Sequence, residues 1–258
     1  MLVLFLNKKF IKKYLLFIAF LSLGTIQAQE NFQHQDLISF FKEWRAFEAP
    51  TFLDGAPDYT KSRFNRDYKT FKSLQRRLNK MDITGWSDSQ QIDWHVVGAE
   101  MNGYDFNYRV LRPWQRDPAF YQTVWTYKSD VPAHEGPTNH AVLDLWTYSF
   151  PLTEKEEIRL TKELKIISPL LKQAKKNLTG NARDLWIAGT NNFYQQKTVL
   201  EKLLPKLSKT NTELQAALSS AIKETSLFIG WLENNAQYKD GPSGVGKDNY
   251  TWYQKNVH

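Results

Sequence analysis

The chain has 258 residues, of which 41% are hydrophobic and 14% aromatic, with nine Trp and no Cys. The absence of Cys excludes disulfides, a thiol nucleophile and lipid attachment through an N-terminal cysteine. The formal charge of +7 is inflated by four lysines near the N-terminus; the rest holds 30 basic and 27 acidic residues, a net +3 that argues for neither nucleic acid nor an anionic membrane surface as partner.

Those four, Lys8, Lys9, Lys12 and Lys13, form a basic n-region ahead of an apolar core at residues 14–23, and Thr25-Ile26-Gln27-Ala28 offers a cleavage site. Ten apolar residues are too few to span a hydrocarbon layer of about 30 Å. Residues 1–28 are therefore expected to be a removed signal peptide. The mature product, residues 29–258, is expected to be periplasmic or secreted, not a lipoprotein, with no membrane contact after signal removal.

Helical periodicity dominates from there on. Leu37, Phe40, Phe41, Trp44 and Phe47 step by three and four. A second helix is predicted over residues 58–81, with Phe64, Tyr68, Phe71, Leu74 and Leu78 along one side. Ser87 and Gln90 form a capping box that opens a third, carrying Ile92, Val96, Ala99, Gly103 and Phe106. Pro113 and Pro118 predict an irregular stretch with one short turn at residues 121–125. A helix is predicted over residues 138–148, and Pro151 ends it. Thr153 and Glu156 form another box, followed by the clearest stripe: Leu160, Leu164, Ile167, Leu171, Ala174 and Leu178, with a kink expected from Pro169. Helices over residues 182–207 and from a further capping box at Thr210 and Glu213 complete an all-α fold of antiparallel amphipathic helices in one layer structure, without repeats or a domain linker.

Several motifs invite chemistry. Gly241-Pro-Ser-Gly-Val-Gly-Lys247 has the spacing of a phosphate-binding loop, but Asp248 stands where Ser or Thr would ligate magnesium, and no buried strand precedes the loop. It reads instead as a Gly-rich turn leading into a helix at residues 247–255. His134-Glu135…His140 fails as a zinc motif because the second His lies six residues on and Pro137 interrupts a helix. His140 and Asp144, at i and i+4 of the predicted helix, are candidates for an acid/base pair, with a plain hydrogen-bonded pair as the alternative. Arg109, Arg112 and Arg116 surround Trp114 near Asp105 and Asp117. They read as a structural lock, with an anion or a peptide carboxylate as the other reading.

Three segments carry a family resemblance: Leu111-Arg-Pro-Trp-Gln-Arg-Asp-Pro-Ala-Phe-Tyr121, Leu170-Leu-Lys-Gln-Ala-Lys-Lys-Asn-Leu178 and Val245-Gly-Lys-Asp-Asn-Tyr-Thr-Trp-Tyr253. Together they resemble the N-terminal half of the secreted bacterial domain of unknown function 885 family, which looks like zinc metallopeptidases. The resemblance implies a helical hydrolase about twice this length, whose H-E-x-x-H helix lies beyond the point equivalent to His258. It implies that zinc belongs to the full-length protein, that this chain carries no ligand and is inactive alone, and that the chain is the truncated front of one larger helical domain. Gly244, Gly246, Lys247, Tyr250 and Tyr253 are then candidates for one side of a peptide-substrate cleft. The competing expectation is a complete exported module that binds a peptide or glycan through surface Trp and Tyr.

Overall fold

The computed structural model describes residues 32–128 and 143–257. The expected signal segment, the His134-Glu135 motif, His140 and His258 lie outside the described residues. The fold is all-α, with two short strand pairs. No described helix is long and apolar enough to cross a membrane.

Helices α1 (His34–Glu48), α2 (Lys61–Asn79) and α3 (Asp88–Phe106) form the first bundle. Arg77 reaches Glu43 and Trp44 meets Phe71, so α1 and α2 run antiparallel; Leu78 meets Trp94 and Tyr68 meets Asp105, so α2 and α3 do as well. Leu37, Phe40, Trp44, Phe71, Leu74, Leu78, Val97 and Met101 fill the space between them. The predicted capping box at Ser87 and Gln90 is present. The predicted face of α3 holds at its C-terminal end, where Gly103 and Phe106 are buried, and fails at its start. Ile92 and Val96 are each 59% exposed, and Val97 and Met101 point inward. An α-helix with adjacent valines offers two apolar stripes, and packing against α1 and α2 selects one.

After α3 the backbone continues as a π-helical turn (Asn107–Leu111), then a left-handed Arg112 at φ 45°. The short helix α4 (Pro113–Arg116) and a 3₁₀ turn (Pro118–Tyr121) follow, each with Pro at its first position, where no amide donor is needed. The turn expected at residues 121–125 therefore begins three residues earlier. A parallel pair joins β3 (Val124–Trp125) to β4 (Leu143–Asp144). β4 and a 3₁₀ turn (Leu145–Thr147) replace the described part of the helix predicted over residues 138–148. An antiparallel hairpin, β1 (Phe52–Leu53) with β2 (Ala56–Pro57), precedes α2.

The second core is built by α5 (Glu154–Lys165), α6 (Ile167–Asn177), α7 (Arg183–Glu201) and α8 (Thr212–Ala236). The predicted stripe is buried throughout, each large aliphatic contributing roughly 1.5–3 kcal/mol before entropy is subtracted. α5 and α6 part at Ile166, because the ring of Pro169 crowds the carbonyl four residues back, at Lys165, and supplies no amide to it. Trp186 meets Trp231, Phe193 meets Phe228 and Gln196 meets Thr225, so α7 and α8 are antiparallel. α8 is capped by Asn211, whose side chain accepts from Leu214 N; Thr210, the expected cap, bonds back to Leu207 O instead.

Candidate functional site

α8 is followed by the Gly-rich segment and then α9 (Lys247–Asn256), the helix expected there. The segment is fastened at three points. Asn181 and Asp240 exchange two hydrogen bonds, at 2.7 and 3.1 Å, and Gly241 O accepts from Arg183 N at 3.1 Å. Ser243 Oγ accepts from Asp184 N and Leu185 N at the start of α7. Arg116 Nη2 faces the carbonyls of Pro242, Ser243 and Gly244 at 3.2, 3.0 and 3.4 Å, while its Nη1 donates to Leu111 O. The approach at Gly241 is close: a Cβ there would lie 2.4 Å from Asn181 O. Gly246 turns the chain into α9 with φ 81°, a conformation that favours glycine.

α9 has no fully buried residue and lies across α3. Trp252 stacks parallel to Phe106 at 5.8 Å, Tyr253 packs against the same ring at 4.9 Å, and Asn102 donates to Asn256 O. Arg109 sits 5.5 Å above Trp252 and donates to Asp105 at 2.6 Å. Asp105 also accepts from Tyr68, whose phenol is pushed up to about 12 by burial and by that carboxylate. Asp117 caps the 3₁₀ turn through Ala119 N, and burial raises its carboxyl above the usual range.

Of the cleft candidates, Gly244, Gly246, Lys247 and Tyr250 are exposed, and Tyr253 is half-buried against α3. Asp144 lies on β4 rather than on the expected helix, half-exposed, its carbonyl accepting from Thr147. The arginine cluster locks the fold through two of its members, Arg109 on Asp105 and Arg116 on the Gly-rich segment, while Arg112 bonds Arg109 O. None of these contacts to the Gly-rich segment is visible in local sequence, since Arg116 and Ser243 stand 127 positions apart.

A feature that sequence reasoning missed is a groove of about 360 Å3 between α2, α3 and the end of α9. Gln75, Asn79, Asn102, Trp94, His95 and Lys255 line it, and among the described residues no Asp or Glu does. Among the described residues no group of three or more His, Asp or Glu is placed to hold a metal. His34 pairs with Asp93 at 2.8 Å, edge-on to Trp86, without a third ligand.

No protein-family model matches the chain, and no match emerges among curated proteins or solved structures. Fold and site together define an all-α protein with a pinned, surface-lying C-terminal strap.

Proposed function

We propose that this chain is the helical scaffold of an exported, metallopeptidase-like protein, in which residues 244–253 form one wall of a peptide-binding cleft and any zinc chemistry belongs to the full-length protein rather than to residues 1–258. What carries the reading is the convergence of the three resemblance-bearing segments on one junction. Tyr121 of the first is hydrogen-bonded by Asn177 of the second, and Arg116 of the first holds the carbonyls that lead into the third. A segment pinned this firmly at its base, with Lys247 and Tyr250 exposed on its outer side, offers a preorganised surface to an extended ligand.

The competing module reading has its own support in the groove beside α9. Carboxamides of Gln75, Asn79 and Asn102 beside the Trp94 ring suit the hydroxyl-rich edge and apolar face of a sugar as well as a peptide backbone.

One experiment separates the two: binding of unstructured peptides and of neutral oligosaccharides to residues 29–258, followed by fluorescence anisotropy, with Tyr250→Ala and Trp94→Ala variants. Peptide binding weakened by Tyr250→Ala supports the cleft wall. Glycan binding weakened by Trp94→Ala supports the module, and peptide binding indifferent to Tyr250→Ala sinks the cleft wall.

A further inference from the structure

The β1–β2 hairpin turns its large apolar residues outward. Phe52 and Leu53 are 64% and 40% exposed, whereas Pro57 and Ala56, opposite them, are buried. The hairpin is firmly held all the same. Gln173 of α6 accepts from Tyr59 N at 2.7 Å and donates to Pro57 O at 2.9 Å, both bonds buried, and Asn177 donates to Tyr59 O. Asp58 N closes the base on Thr51 O, and Asp54 and Gly55 make the tip with φ 53° and 83°.

That tip overhangs α5. Asp54 and Gly55 share a groove of about 440 Å3 with Ile158, Thr161, Lys162 and Lys165, and Ile158 is 64% exposed. Lys162 and Lys165 of α5 line that groove, and Lys172, Lys175 and Lys176 follow on α6. All five are exposed. Lys165 is paired with Glu213, and the other four have no carboxylate partner among the described residues. Asp54, at the tip, has no cationic partner among the described residues.

Single exposed apolar residues are ordinary on a soluble protein. Three of them around the tip of a rigid hairpin, bordered by unpaired lysines, are the composition of an interfacial anchor. Apolar side chains enter the headgroup layer, and ammonium groups meet anionic lipid. β1 is too short to template a partner strand, and Phe52 and Leu53 stand exposed on it, which suits a fluid apolar phase. The near-neutral overall charge does not oppose this, because screening confines the field of each exposed lysine to about 10 Å.

We propose that the β1–β2 tip and the lysine edge of α5 and α6 dock this protein onto an anionic lipid surface. This does not depend on what residues 244–253 bind.

The test is co-sedimentation of residues 29–258, which contain the whole described fold, with vesicles of phosphatidylglycerol and phosphatidylcholine or of phosphatidylcholine alone. Binding to the anionic vesicles alone is expected, reversed by salt, and weakened by about tenfold or more in the Phe52→Ser, Leu53→Ser double variant. A Lys162→Gln, Lys172→Gln variant is expected to lose about fivefold or more. Thermal melts of both variants are expected to match the parent, since all four side chains are exposed; Ile158→Ser gives a third, independent readout. The proposal is overturned if the parent stays in the supernatant with anionic vesicles. It is equally overturned if Phe52 and Leu53 instead mediate a dimer, or if poly-glutamate binds the lysine edge while vesicles do not.

Discussion

Ser243 Oγ accepts the backbone amide of Asp184 at 2.8 Å, so the first turn of α7 is capped by a residue 59 positions downstream. Ala182, at the N-cap itself, has no side-chain acceptor to offer. Replacing Ser243 with Ala leaves Asp184 N and Leu185 N without that oxygen, a loss of about 1 kcal/mol. Urea unfolding reads it as a lower midpoint at unchanged slope. An unchanged midpoint would mean that solvent substitutes for the hydroxyl and that the strap does not stabilise α7.

Arg116 performs the complementary task, holding the strap from the other side. Its planar guanidinium addresses the Leu111 carbonyl and the run of carbonyls from Pro242 to Gly244 together. An ammonium group lacks the fork needed for that. Arg116→Lys is therefore expected to cost about 1–2 kcal/mol and to speed tryptic cleavage after Lys247. Cleavage at the parent rate would show that Asn181, Asp240 and Ser243 suffice to hold the segment.

The glycines of the strap are not equivalent. At Gly241 an added Cβ meets backbone, Asn181 O, at 2.4 Å, and one of the two segments must move. Gly241→Ala is expected to destabilise by about 1–3 kcal/mol. Gly244 has open space around it and a φ outside the left-handed region, so Gly244→Ala is expected to stay within about 0.5 kcal/mol of the parent. Equal effects in a pair of thermal melts would contradict the close approach at Gly241.

Local signals announced most of the helices. The boxes at Ser87 and Thr153 are present, and the stripe from Leu160 to Leu178 is buried, because capping and period are decided within a turn or two of chain. What the chain concealed depends on distant partners. Which stripe of α3 turns inward is settled by α1 and α2. The pairing of Val124 with Leu143 needs two segments brought together by the second core. Asn211 displaces Thr210 as the cap of α8 while also donating a hydrogen bond to Glu157 of α5, another long-range choice. The site follows the same rule. The Gly-rich turn and the helix after it were legible, whereas the clamp by Arg116, the cap by Ser243 and the groove beside Trp94 join residues far apart in sequence.

Alkaline pH tests the polar cluster under α9. Burial, and then the neighbouring Asp105 carboxylate, move the Tyr68 phenol from 10.0 to about 12. The folded chain thus holds this proton more tightly than the unfolded chain. Its contribution to stability is complete below about pH 10 and is lost as pH rises from there through about 12. Tyr104, Tyr121 and Tyr148 are raised as well, chiefly by burial, so the parent is expected to lose stability steeply above pH 10. Tyr68→Phe removes one titrating group while keeping the ring that stacks on Tyr108 at 3.8 Å. Its stability is expected to fall less steeply between pH 10 and 12 than the parent's, measured as urea midpoints across that range. The slope isolates the titration, because loss of the Asp105 hydrogen bond shifts the Tyr68→Phe curve as a whole below pH 10 without changing its steepness there. Parallel curves for parent and variant would show that Tyr68 ionises alike in the folded and unfolded chains, and that the Tyr68–Asp105 contact is not kept in solution.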